Sequence, residues 1–249
     1  MKKLLVRADD LGYSEGVNYG IAKTVIDGII RSVGVMTNMP AAEHGLRLLQ
    51  GVTVCYGQHT NICVGTPLTD PKKIPSITTP FGQFKSSKEY RAATEDFVNL
   101  NEVVLEIEAQ YNRFVELTGR QPEYFEGHAV MSANFFQGLR IVAEHHKLKL
   151  CEIPFDGKPV TVGKTIVYGH IASMNQNHDP FQDLKETVES AHKGACDVFI
   201  CHPGYLDAYI LKTSSLTIPR ALEVEMLCDN KTREWLAQQP IELVTYNDL

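Results

Sequence analysis

The chain has 249 residues, and its 24 Lys and Arg stand against 30 Asp and Glu, for a net charge of -6. That acidic balance, with no basic block beyond pairs such as Lys2-Lys3 and Lys72-Lys73, excludes nucleic acid as the main partner. An apolar share of 43% and a charged share of 22% describe an ordinary globular chain, long enough for one large α/β domain or two small ones.

Strands and helices alternate along the sequence. Lys3–Ala8 is the first expected strand. Its start has the order of an export signal, but Arg7 and Asp9-Asp10 cut the apolar run short. Ser14 is placed to cap a helix in which Val17, Ile21 and Val25 recur every fourth residue, ending at Gly28. Ser32–Thr37 is short and apolar, Ala41–Gln50 reads as helix and Val52–His59 as strand. Thr60 to Ser86 has no periodicity. A long helix over Glu95–Leu117 is closed by Gly119. Tyr124–Gly127 is a strand, Asn134–His146 a helix and Leu148–Ile153 another strand. Irregular sequence then runs to about Pro180, with one strand at Thr165–Tyr168. Helix Phe181–Lys193, strand Asp197–Cys201, helix Pro219–Cys228, a short helix near Thr232–Gln239 and strand Ile241–Thr245 end the order.

Repetition of strand then helix implies a parallel sheet with right-handed crossovers. Closure into a (β/α) barrel suits a single domain over 1–249, and an open doubly wound sheet is the rival. No apolar run approaches the roughly 20 residues of a spanning helix, so no membrane partner and a cytoplasmic location are expected. The six cysteines (55, 63, 151, 196, 201 and 228) form no C-x-x-C pair and read as reduced, buried thiols.

Reactive groups of parallel α/β folds gather at the carboxyl ends of strands. Asp9 and Asp10 end the first strand. Two carboxylates side by side read either as a polar helix-capping turn or as an acid pair offset by a cation. His59 ends "VCYGQH", His128 follows "YFEG", His170 follows "IVYG" and His202 follows "VFIC". The other five histidines (44, 145, 146, 178 and 192) fall on helices or loops and are expected in solvent. One strand-end histidine is ordinarily a hydrogen-bonded structural residue. Several on one face with two aspartates have the composition of a first-row metal site. "GKPVTVGKT" at 157–165 has the outline of a phosphate loop, but five residues rather than four separate its glycines. Pro159 and Val160-Thr161-Val162 favour a hairpin there.

The blocks "RADDLGYSEGVNYGI" at 7–21, "GIIRSVGVMTNMPAA" at 28–42 and "GQHTNICVGTPL" at 57–68 form a pattern with "EGH" at 126–128, "CHPGYLD" at 201–207, and Arg220 with Glu223. Together they resemble the YdjC/ChbG-type carbohydrate deacetylases along nearly the whole chain. The resemblance implies a single-domain distorted (β/α) barrel with a mostly parallel sheet. It implies removal of the N-acetyl group from sugars such as chitooligosaccharides, with a divalent metal. It carries the metal ligands onto Asp10, His59 and His128, the general base onto Asp9 and a second catalytic histidine onto His202.

Family members often have Asp-x-His followed by further histidines where this chain reads Glu126-Gly127-His128-Ala129-Val130, a departure that bears on substrate preference. Glu126 and Arg220 are expected at the substrate, with Arg220 orienting Asp9, binding a sugar hydroxyl or pairing with Glu223 at the surface. Magnesium is the metal usually described for the family, whereas one carboxylate and two imidazoles suit zinc. In the implied mechanism Asp9 takes a proton from water, and His202 as imidazolium donates one to the leaving nitrogen. Thr60 to Ser86 is expected to form a lid, with Pro67, Phe81 and Phe84 over a bound sugar. A homodimer is the expected assembly. Two rivals remain: a sugar isomerase or lyase drawing further ligands from Glu126 and Glu152, and a non-catalytic sugar-binding protein on the same barrel.

Overall fold

Strand β1 (Lys2–Leu11) is buried from Leu4 to its end, the signature of a central strand covered on both faces. It opens the computed structural model, which describes residues 1–154, 157–175 and 177–249. The chain continues through α1 (Glu15–Ile26), β2 (Ser32–Val35), α2 (Ala42–Leu48), β3 (Cys55–Thr60), α3 (Ser87–Ala92) and α4 (Leu100–Thr118). Next come β4 (Tyr124–Gly127), α5 (Ala133–His146), β5 (Val160–Val162), β6 (Thr165–Ile171) and α6 (Pro180–Ser190). It ends with β7 (Cys196–Cys201), α7 (Ala208–Thr213), α8 (Ile218–Cys228), α9 (Asn230–Ala237) and β8 (Ile241–Leu243).

The sheet order is β4-β3-β2-β1-β7-β6-β5, with β8 beside the start of β1. Every pair is parallel except β5 with β6, the hairpin expected in place of a phosphate loop. The sheet curls into a partial barrel within a single α/β domain. Leu148–Ile153, expected as a strand, makes only one bridge among the described residues, Leu150 to Phe125 of β4. Pro154 follows it and has no N–H with which to extend the pairing. At this seam Ile153 packs where a Cβ on Gly169 of β6 would come within 2.1 Å, so side-chain packing takes over from backbone pairing. The irregular stretch expected after Ile153 includes three positions outside the described residues.

Strand periodicity divides the core. Leu4, Val6 and Ala8 pack outward with Val17 and Ile21 of α1. Leu5 points inward with Tyr124, Val198, Ile200 and Tyr246, filling the bottom of the barrel. A buried side chain of this kind contributes about 1.5–3 kcal/mol.

Caps fix the helix starts. Ser14 accepts from Val17 N, as expected. The long helix begins at Leu100 rather than Glu95, because Asn99 accepts from the N–H groups of Asn101 and Glu102. Asp96, just upstream, instead holds Ser132 and the N–H of Asn134 at the start of α5. Two short helices lay outside the expected order: α3, opened by a Ser86–Glu89 capping box, and α7, capped by Asp207. No described helix is long and apolar enough to cross a membrane.

Candidate metal centre and catalytic cavity

Neighbouring residues of a regular strand point to opposite faces, so Asp9 and Asp10 cannot both reach one site from an unbroken strand. A bulge removes the obstacle. The register of β1 on β2 shifts between Ala8 and Leu11, and Asp10 sits at φ +78°. A non-glycine residue in that region costs on the order of 1–3 kcal/mol and persists where its surroundings hold it.

What holds Asp10 is Arg220, whose Nη2 lies 2.7 Å from Oδ2. The other oxygen, Oδ1, lies 3.2 Å from His59 Nε2 and 3.1 Å from His128 Nδ1, and those two nitrogens are 2.9 Å apart. Three donors spaced in this way form one face of a shell around a cation with bonds of about 2.1 Å. Oδ1 is buried and makes no hydrogen bond, a state that calls for a partner. A divalent cation fits these three residues.

His59 Nδ1 is bonded to Glu126 Oε1, which turns Nε2 toward the other two donors. Glu126 Oε2 lies 3.3 Å from Arg7, and Arg7 pairs with Asp9 Oδ2 at 2.7 Å while donating to the Tyr246 hydroxyl at 2.8 Å. Arg7 therefore joins Asp9 to the carboxylate that orients His59, a role that the short "VRADD" stretch does not display. Asp9 Oδ1 is buried without a hydrogen-bond partner. Gly34 of β2 leaves the room: a Cβ there would stand 3.0 Å from Glu126 and 3.1 Å from Asp9.

Burial pushes both aspartates up, but Arg7 beside Asp9 and Arg220 beside Asp10 outweigh it, and both carboxyls lie below their usual range. Burial likewise pulls the imidazoles down. Facing carboxylates overcome it at His59, held well above its ordinary value, and at His128, pushed up to about 9. A bound cation would have to displace those protons. At His202 burial wins over Asp10, Asp9 and Glu223, and its pKa is lowered.

His202 follows β7 in phase with the inward Val198 and Ile200, and it lines a cavity of about 470 Å³ together with Asp9, Asp10, His59, His128 and Arg220. Its backbone N–H donates to Glu223 Oε2 at 2.6 Å, and its Nδ1 lies 3.1 Å from Ser173 Oγ. The two residues expected at the substrate line the same cavity but are held by protein partners. Glu126 faces His59 and Arg7. Arg220 pairs with Asp10, rather than with Asp9 or Glu223, and donates to the carbonyls of Leu216 and His202.

The fourth strand-end histidine stays away. His170 is out of phase with the inward Val167 of β6, and it meets Asp197 on the outer face at 2.8 Å. Among the histidines expected in solvent, His178 is a correction. Its side chain is 3% exposed, lying 2.7 Å from Asp183 and 3.3 Å from Glu223. Thr60 to Ser86 is not a lid. Ile74, Ile77 and Phe84 are buried against Val103 and Ile107 of α4, and Phe81 is 92% exposed. Of this segment Cys63 and Val64 reach the cavity.

The family model described as YdjC-like protein matches residues 3–238. Carbohydrate deacetylase 2 of Listeria innocua is 30% identical, covering 99% of this chain and 98% of its own. Chitooligosaccharide deacetylase of Escherichia fergusonii is 28% identical, covering 99% of this chain and 98% of its own. Among solved structures, a putative cellobiose-phosphate cleavage protein of Enterococcus faecalis superposes with a TM-score of 0.84 at 22% identity, covering 99% of this chain and 98% of that one. The chain belongs to the YdjC-like family.

Proposed function

We propose that this YdjC-like chain is a metal-dependent carbohydrate deacetylase that hydrolyses the acetamide of an N-acetylated sugar or short oligosaccharide. The observation that carries this reading is the Asp10 Oδ1, without a hydrogen bond, facing two imidazole nitrogens in a cavity that Asp9 and His202 also line. The relatives named as carbohydrate and chitooligosaccharide deacetylases, each matched over 98% of its length, support the substrate class.

Asp10, His59 and His128 would hold the ion, and two imidazoles with one carboxylate favour zinc or a similar first-row ion over magnesium. When bound, a divalent ion there polarises the acetamide carbonyl and lowers the pKa of a water. Asp9 Oδ1, free of hydrogen bonds, would accept a proton from the attacking water, with Arg7 on Oδ2 holding the carboxylate in place. His202 delivers a proton to the departing nitrogen. Glu126 and Arg220 act on the ligands, orienting His59 and Asp10. Cavity walls of Met131, Phe136, Ile153 and Met174 offer apolar faces to a sugar ring.

The isomerase or lyase reading is weakened at both extra ligands, although Glu126 lies within ligand distance of Asp9 and His59. Glu126 is engaged by His59 and Arg7, and Glu152 pairs with Arg140 at 2.6 Å. The test is acetate release from N-acetylglucosamine and its short β-1,4 oligomers by the zinc-loaded protein, abolished by chelation and restored by metal. Binding without acetate release from any of them would replace the enzyme with a sugar-binding protein.

A further inference from the structure

His202 is anchored by a buried side-chain network that the metal site does not use. Ser173 and Glu223 are each 1% exposed. The Ser173 hydroxyl donates to Glu223 Oε1. A serine has one hydroxyl hydrogen, so toward His202 Nδ1, 3.1 Å away, the same oxygen can only accept. Nδ1 must then carry the ring hydrogen, and Nε2 keeps its lone pair for the cavity. Glu223 Oε2 meanwhile accepts from the His202 backbone N–H at 2.6 Å, so one carboxylate fixes both the main chain and, through Ser173, the ring. Beyond Glu223 stands His178, its Nε2 3.3 Å from Oε1 and its Nδ1 2.7 Å from Asp183 of α6.

We infer that Ser173 and Glu223 are positioning residues that lock His202 in the Nδ1–H tautomer, so that Nε2 alone carries protons at the reacting centre. This rests on reading His202 as the proton donor of the deacetylation. In that step the imidazolium releases its Nε2 proton to the nitrogen as the C–N bond breaks, leaving the neutral Nδ1–H ring that Ser173 already accepts from. No tautomer exchange is needed between turnovers. The Glu223 carboxylate, relayed through the hydroxyl, offsets part of the burial that disfavours the imidazolium at His202.

The arrangement of Arg220 and Glu223 on α8 follows the same logic. Three residues apart, they share a helix face, and each fixes one half of the site: Arg220 holds Asp10, and Glu223 holds His202.

The experiment combines turnover with ring-nitrogen NMR on the metal-loaded protein. Ser173→Ala is expected to lower kcat on an N-acetyl sugar about 10–100-fold, with KM and metal stoichiometry unchanged and with Ser173→Thr restoring most of the loss. The deficit should vanish on an aryl acetate, whose phenolate departs without a proton, a split that a merely structural serine would not produce. In the ¹⁵N-labelled wild type the His202 signals should show protonated Nδ1 and bare Nε2, and Ser173→Ala should mix the tautomers. Protonated Nε2 in the wild type, or unchanged amide turnover in Ser173→Ala, overturns the inference. The ring-nitrogen readout needs no substrate. A wild type that releases no acetate would therefore sink the deacetylase reading while still deciding the tautomer.

Discussion

Two carboxylate–imidazole clusters sit on this sheet, one on each face. Inside the barrel, Asp10 meets His59 and His128; outside, Asp197 meets His170 and His192. The residue types are the same and both carboxylates are fully buried, yet the bonding differs. Asp197 Oδ1 is shared by His170 Nε2 at 2.8 Å and His192 Nδ1 at 3.0 Å, and Oδ2 accepts the His192 N–H at 2.8 Å. Both of its oxygens are matched by protein donors. Asp10 has Arg220 on one oxygen and leaves the other bare, facing two nitrogens that also face each other. A carboxylate oxygen without a hydrogen bond, facing two ring nitrogens that also face each other, makes a candidate place for a cation, and composition alone does not.

The contrast breaks most sharply at Asp10 itself. Asp10→Asn should lose stoichiometric zinc, read by elemental analysis after gel filtration, and acetate release should fall to background. A variant with full metal occupancy would show that the inner cluster, like the outer one, is satisfied by protein alone.

Asp9 separates proton transfer from ligation within the inner site. Asp9→Asn should keep the metal and lose about 10²–10⁴-fold in turnover, the usual worth of a positioned base. Metal loss in Asp9→Asn with metal retention in Asp10→Asn would exchange the two roles.

Glu126 tests the outer support of the same cluster. Glu126→Gln keeps the shape but loses the charge shared with Arg7 and His59. Metal affinity should fall about 10–100-fold, the typical cost of altering a group that orients a ligand. A competitive zinc indicator measures it, and unchanged affinity would leave His59 positioned by packing alone.

Much of this was legible in the residues, and the exceptions have physical causes. Alternating apolar runs gave the sheet, and "DD", "QH", "GH" and "CH" at strand ends gave three histidines and two aspartates of one site. His170 lies on the outer face because a one-residue phase reverses a strand, and Ile166-Val167-Tyr168, apolar throughout, offers no alternation from which that phase could be read. The bulge that turns Asp10 inward has no glycine at the positive φ to announce it. Arg7 read as an interruption of an apolar run, although its spacing of two from Asp9 already placed both on the inward face. Ser173 lies in an aperiodic stretch, where only the folded chain brings it to His202. The Thr60 to Ser86 segment looked like a lid because its anchors, Glu102 and Glu106, lie far along the chain on α4.

The smallest effect on activity belongs to the outer cluster, whose contribution to stability depends on pH. Asp197→Asn should leave acetate release per folded molecule unchanged, since nothing in that cluster reaches the cavity. It should lower stability by about 1–3 kcal/mol, because the buried acceptor and its imidazole partners no longer match. Burial raises the Asp197 carboxyl, but hydrogen bonds from His170 and His192 outweigh it and hold it below its usual range. A carboxyl depressed in the folded state binds more protons when unfolded, so its contribution rises with pH. It is present in full above the unfolded value of about 3.9 and is lost as pH falls through the lower folded value. Urea midpoints of wild type and Asp197→Asn should therefore differ most near neutral pH and converge as the pH drops below about 4. A gap of equal size across that range would mean that shape, rather than charge, holds the outer histidines, and the difference between the two clusters would then rest on the inner one alone.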